Sequence, residues 1–162
     1  MDELNLTIRP LRNESEAHYC AEFLVASEPW ITLRMTFAQA MQRLTNPARE
    51  VLVATTNDQI VGVLILDLTG VLNGYVQILG VHPEWRNRGI GKQLITWAEG
   101  RIYRQSPNVF LCVSSFNAGA QRFYTRLGYQ PVGELPDFLK QDCSEILMRK
   151  TRGTWLEFKS AT

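Results

Sequence analysis

Apolar residues recur along this chain at two spacings, and the switch from one to the other orders its elements. Ala17, Cys20, Ala21 and Leu24 fall at i, i+3, i+4 and i+7, which predicts a helix over about Ser15 to Val25, with Asn13 and Glu16 spaced as a capping box. Phe37, Ala40, Met41 and Leu44 repeat that spacing in a second helix. It opens at Thr36, with Gln39 three residues on, and stops at Asn46-Pro47. Ile90, Leu94, Trp97, Ala98 and Ile102 mark a longer helix from about Gly89 to Arg104. Ala120, Phe123, Tyr124 and Leu127 share one face of a fourth, Ala118 to Leu127, which Gly128 ends.

Between these lie short apolar runs with the length and β-branching of strands: Leu6 to Pro10, Val51 to Thr55, Ile60 to Leu68, Tyr75 to Val81, Val109 to Val113, Gln130 to Leu135 and Glu145 to Lys150. The nearly continuous aliphatic run Ile60–Leu68 suits a strand covered on both faces. Asn57-Asp58 supplies the turn before it. The order predicts one mixed sheet with helices packed on it, an α/β (α+β) fold. With no repeat or low-complexity stretch, residues 1–162 read as one domain, with 151–162 as a C-terminal tail.

Composition narrows the function. The 162 residues are 45% hydrophobic, enough for a packed core, and 17 Lys+Arg against 16 Asp+Glu leave a net charge of +1. Nucleic-acid binders usually carry a clear basic excess, so no nucleic-acid partner is expected. No apolar run approaches a membrane span, and the acidic start Met1-Asp2-Glu3-Leu4 lacks the basic lead of a signal peptide. The expectation is a cytoplasmic protein with no membrane partner. Cys20, Cys112 and Cys143 are too few and too scattered for a disulfide framework, and with His18 and His82 they do not approach metal-ligand spacing. No metal is expected.

The stretch Val81-His82-Pro83-Glu84-Trp85-Arg86-Asn87-Arg88-Gly89-Ile90-Gly91-Lys92 carries the chemistry. A strand ends, a short loop brings basic residues, and two glycines open a helix. The free N–H groups and partial positive charge of a helix start bind phosphate oxygens, glycine permits close backbone approach, and Arg86, Arg88 and Lys92 add charge. A diphosphate at this helix start is the prediction; a turn with solvated arginines is the alternative. A P-loop fails, because Arg86 and Gln93 stand where it needs Gly and Ser/Thr. The dinucleotide fingerprint fails for want of a third glycine. A second stretch, Asn117-Ala118-Gly119-Ala120-Gln121-Arg122-Phe123-Tyr124-Thr125-Arg126-Leu127-Gly128-Tyr129, follows a strand and forms a helix, with Asn117 at its N-cap. Taken alone, Tyr124 reads as a core aromatic with its hydroxyl at the rim.

Together the two stretches resemble the GNAT superfamily of acetyl-CoA-dependent N-acetyltransferases. Arg86-Asn87-Arg88-Gly89-Ile90-Gly91 matches the signature R/Q-x-x-G-x-G/A, and Asn117 to Tyr129 matches N-x-x-A-x-x-x-Y-x-x-x-G-[FY] at every fixed position. The order of elements agrees over about residues 4 to 150, and the general likeness is to the branch that acetylates the N-terminal alanine of ribosomal proteins. The resemblance implies a mostly antiparallel sheet of about seven strands, flanked by about four helices and splayed between the fourth and fifth strands. It implies acetyl-CoA as co-substrate, its pantetheine arm along Leu79, Gly80 and Val81, with Gly80 at the bulge that splaying requires. The diphosphate would sit on the N–H groups of residues 87–92 (Asn87, Arg88, Gly89, Ile90, Gly91, Lys92). Asn117 would touch the arm, and Tyr124 would lie by the thioester sulfur as general acid. The reaction would be direct attack by a primary amine of a small molecule or peptide within a ternary complex.

The base is where the chain departs from its relatives. The alanine-acetylating branch has a glutamate five residues before the Asn, where Cys112 stands here; Tyr75 to Val81 holds none either. Asp67, Tyr75, Asp137, Asp142 and Glu145 are the candidates, with Asp67 and Glu145 equally readable as strand ends. The acceptor is expected between Glu28 to Arg34 and Leu135 to Lys140. There Trp30 and Phe138 either line an apolar pocket or pack, and Glu28 and Asp137 suit a cationic amine. Trp155, Leu156 and Phe158 of the tail either dock on the sheet or make a subunit contact, in a monomer or homodimer. A non-catalytic acyl-CoA sensor and a protein N-terminal or lysine acetyltransferase are the competing functions.

Overall fold

The computed structural model describes residues 4–161; Met1 to Glu3 of the acidic start and Thr162 of the tail lie outside the described residues. Seven strands form one sheet in the order β1-β2-β3-β4-β5-β7-β6. They are β1 Thr7–Pro10, β2 Glu50–Thr56, β3 Gln59–Asp67, β4 Tyr75–Val81, β5 Asn108–Ser114, β6 Gln130–Pro136 and β7 Ser144–Thr151. Every pairing is antiparallel except β4 with β5. The β2–β3 hairpin turns on Asn57 and Asp58, both at positive φ (47° and 61°), the geometry whose twist matches paired strands.

Among the described residues five helices flank the sheet: α1 Glu14–Val25, α2 Trp30–Leu33, α3 Phe37–Leu44, α4 Ile90–Ile102 and α5 Ala118–Arg126. The single turn α2 and the 3₁₀ turn Pro83–Trp85 are additions to the predicted set, each too short to show a period. Thr36 and Gln39 form the reciprocal capping box of α3. At α1 only half of one forms. Asn13 caps the Glu16 N–H, but the Glu16 carboxylate turns to Arg9 and to the Arg12 N–H.

The core lies in two layers. On one face of the sheet Leu64, Leu66, Val76, Leu111, Val113 and Met148 pack under α4 and α5. On the other, Val53, Val63, Ile65 and Ile78 pack under α1 and α3. Strand alternation therefore assigns the residues of β5 and β7 to a face.

The tail turns back on the segment after α4. Arg152 stacks 4.0 Å over the Tyr103 ring and donates its N–H to Pro107, and the Ala161 N–H reaches the Arg104 carbonyl. Trp155 packs edge-on against Phe158, whereas Leu156 is fully exposed.

Candidate active site

β4 and β5 pair only at Tyr75 with Phe110 and Val76 with Leu111; beyond these the strands part. Toward β3, Ile65 pairs with Ile78 and Leu66 with Val76, so Gln77 is the extra residue of a bulge. Val76 accordingly faces α4, and after the bulge Leu79 and Val81 face it too, while Ile78 faces α1. The expectation of a bulge at Gly80 is corrected to Gln77. Gly80 serves packing instead, because a Cβ there would come within 2.7 Å of Leu24 Cδ2.

The parted strands open a cleft of about 620 Å³, a size usual for small-ligand sites. Leu79, Gly80, Val81, Arg86, Asn87, Gly89, Ile90, Gly91, Lys92, Asn117 and Tyr124 all line it. Arg88 is the exception among the residues expected there. Its guanidinium lies 4.8 Å from the centre of the Trp85 ring and reaches the Glu84 carbonyl, outside the lining.

The start of α4 has the form an anion needs. Asn87 and Gly89 are both left-handed (φ 61° and 79°), and the first helical bond runs from the Gln93 N–H to the Gly89 carbonyl. The N–H groups of residues 90, 91 and 92 thus have no intrahelical partner. A Cβ on Gly91 would project between Phe123, Val81 and Leu79, all of which line the cleft. With Arg86 and Lys92 on the same wall, these residues fit a diphosphate.

α5 supplies the next two groups. Asn117 Oδ1 caps the Ala120 N–H at 3.1 Å, fixing the side chain at the cleft wall. Tyr124 is 9% exposed, its ring edge-on to Phe123 and Tyr129, and its hydroxyl has no protein partner among the described residues. Burial pushes its pKa up, so the phenol stays protonated and can donate. Tyr129, at the end of the second motif, is structural: its hydroxyl bonds Glu99 at 3.0 Å, and Lys150 holds the same carboxylate.

On the opposite face lie Cys112, Ser114 and Glu145. Cys112 and Ser114 alternate with Leu111 and Val113 of the α4 side, and Glu145 pairs with Ser114 in register. Glu145 is 2% exposed and lines the cleft; Ser114 Oγ donates to its Oε1 at 2.6 Å. Burial raises its pKa above the usual carboxylate range, and the Ser114 bond opposes that rise. Burial also raises Tyr75 and Cys112, which face each other, so both are neutral near pH 7.

The other carboxylates lie elsewhere. Asp67 accepts the Thr69 and Gly70 N–H groups and pairs with Arg49 at 2.9 Å, a strand-end role. Asp137 accepts the Asp142 N–H within the β6–β7 turn, and neither lines the cleft. Trp30, Leu33, Phe138 and Leu139 add apolar walls to the cleft. Lys140 Nζ donates to the Thr32 carbonyl at 3.1 Å, tying the β6–β7 turn to α2. Glu28 also lines the cleft, but both its oxygens bond Thr32. Sequence reasoning missed Ser114 and Gln77. Ser114 shows only once β5 and β7 are in register, and Gln77, whose buried Oε1 has no partner among the described residues, only once the bulge is seen.

Comparison with known proteins agrees with this geometry. Residues 47–131, more than half of the chain, match the family model described as an acetyltransferase (GNAT) domain. A curated acetyltransferase of Pectobacterium atrosepticum is 38% identical over 82 residues, which are 50% of this chain and 57% of the relative, so the match spans little more than half the relative's length. The crystal structure of an aminoglycoside 6'-N-acetyltransferase complexed with coenzyme A superposes with TM-score 0.72 at 20% identity, covering 90% of this chain and 96% of that one. The ribosomal-protein-S18-alanine N-acetyltransferase of Escherichia coli superposes with TM-score 0.70 at 16% identity, covering 96% and 99%. With its parted β4 and β5, its glycine-opened helix and this family match, the chain belongs to the GNAT acetyltransferases.

Proposed function

We propose that the protein transfers the acetyl group of acetyl-CoA to a primary amine of a small molecule or peptide, by direct attack within a ternary complex. The observation that carries this reading is the arrangement of the cleft: a helix start with unpaired N–H groups, and in the same lining a buried tyrosine whose hydroxyl has no protein partner among the described residues. The parted edge of β4 at Leu79, Gly80 and Val81 offers backbone groups to the amides of the pantetheine arm. The N–H groups of residues 87–92, with Arg86 and Lys92, hold the diphosphate, and Asn117 borders the arm. Tyr124 donates its proton to the departing sulfur. The unpaired cysteines support a reducing, cytoplasmic setting. No helix among the described residues is long and apolar enough to cross a membrane.

The test is thiol release from acetyl-CoA with a panel of primary amines and short peptides, comparing wild type with Tyr124→Phe. Phenylalanine keeps the ring packing and removes the proton. The expected result is a fall in kcat of about 10²-fold or more with coenzyme A affinity nearly unchanged. Tight coenzyme A binding with no turnover on any acceptor would favour a sensor instead.

A further inference from the structure

We propose that Glu145, held by Ser114 on the face of the sheet opposite Tyr124, is the acceptor site: it receives the ammonium of a primary amine carried on an apolar body and takes its proton. The inference rests on the acetyltransferase reading and names the class of acceptor.

Three observations converge on it. Glu145 is a buried carboxylate with no cationic partner among the described residues, and its Oε2 makes no protein hydrogen bond. Burying an unpaired carboxylate is costly, and a cation supplied by a ligand would offset that cost. Second, β5 alternation and the Ser114–Glu145 register place it on the α1 side of the sheet, while Tyr124 packs on the α4 side. An amine entering past Glu145 meets the thioester carbonyl in the gap between β4 and β5, and the sulfur departs toward Tyr124. Third, the walls around the acceptor end are Trp30, Leu33, Phe138 and Leu139. Since the other lining carboxylate, Glu28, is engaged by Thr32, the site offers one unengaged carboxylate oxygen and suits one cationic amine rather than several.

The protons balance. Glu145 takes one proton from the ammonium and passes it to solvent. The free amine forms the C–N bond at the thioester carbonyl. On collapse the C–S bond breaks, the sulfur leaves with the Tyr124 proton, and the second proton lost by nitrogen restores the phenol through solvent. The groups that face Glu145 are Ser114 and Cys112 on β5 and Tyr75 on β4; Arg43 and Glu28 line the same cleft, and Lys140, outside the lining, is held by the Thr32 carbonyl.

The test uses the full chain with acetyl-CoA, 2-phenylethylamine as apolar monoamine and kanamycin as polar polyamine. Turnover is followed by thiol release, and amine binding in the presence of coenzyme A by calorimetry. Glu145→Gln is expected to lower kcat/KM for 2-phenylethylamine about 10²-fold or more near pH 7, to regain rate at high pH where the amine is already free base, and to leave coenzyme A affinity unchanged. Glu145→Asp should retain part of the rate. Ser114→Ala removes the bond that favours the carboxylate, so its acidic limb should move to higher pH, a shift that a merely structural serine would not produce. Wild-type turnover that survives Glu145→Gln, or a preference for kanamycin, overturns this proposal alone. Amine binding that depends on Glu145 without any thiol release would overturn the acetyltransferase reading and leave the amine site standing.

Discussion

Gly91→Ala and Gly91→Val together separate what the fold needs from what the ligand needs. Gly91 is the second residue of α4, and a Cβ built there finds Phe123 Cζ at 3.5 Å, Val81 Cγ2 at 3.8 Å and Leu79 Cδ2 at 3.9 Å. These are ordinary contacts, so the empty protein has room for the methyl. Alanine in place of glycine lowers the entropy lost on forming the helix, and the expected gain is about 0.5–1 kcal/mol. In a domain of this size that is a rise in Tm of about 1–4 °C. The same methyl lies in the cleft wall beside the unpaired N–H groups, but the signature matched here takes Gly or Ala at this position, so coenzyme A should bind Gly91→Ala about as tightly as wild type. Gly91→Val is the perturbing variant: forcing a ligand past its extra methyls costs about 1–3 kcal/mol, so coenzyme A should bind it about 5- to 150-fold more weakly. Thermal denaturation without ligand and calorimetry with coenzyme A measure the two effects separately. A folded Gly91→Val variant that binds coenzyme A as tightly as wild type would refute the placement of the diphosphate at this helix start. A Gly91→Ala variant less stable than wild type without ligand would refute the claim of spare room.

Two further predictions concern side chains whose chemistry the structure limits. Cys112 stands where the alanine-acetylating branch has its glutamate, but burial holds its thiol protonated; Cys112→Ala should keep kcat within about threefold of wild type, and a loss of about 10²-fold would give it a catalytic role. Arg9, bonding at 2.7 Å, holds the Glu16 carboxyl below its usual range. A depressed folded-state pKa gives stability that is present above the unfolded value of about 4.3 and is lost as pH falls through the folded one. Glu16→Gln should therefore cost about 0.5–1 kcal/mol at pH 7, a largely solvent-screened pair, and flatten the acid limb of a stability–pH curve; an unchanged curve would refute the pairing.

The local chemistry of this protein is legible one residue at a time. The periodicities of α1, α3, α4 and α5, the Thr36–Gln39 cap, the Asn57-Asp58 turn and the glycines that open and close helices act over a few positions, and the structure places each where the spacing does. The two motifs are of the same kind, because a glycine-opened helix start and a capped helix bearing Tyr124 are contiguous pieces of chain. What only the tertiary structure decided is register. A bulge at Gln77 rather than Gly80 changes which residues of β4 face α4, and nothing local marks it, since the glycine is demanded by Leu24 from a helix some fifty residues earlier. Glu145 reads in sequence as a strand end like Asp67. It acquires meaning only when β7 pairs with β5, setting it against Ser114, inside the cleft and across the sheet from Tyr124. Short-range hydrogen bonding and packing determine elements from sequence alone, whereas a site assembled from β4, β5, α5 and β7 depends on pairings between residues some thirty to forty positions apart, whose partners only the folded chain selects.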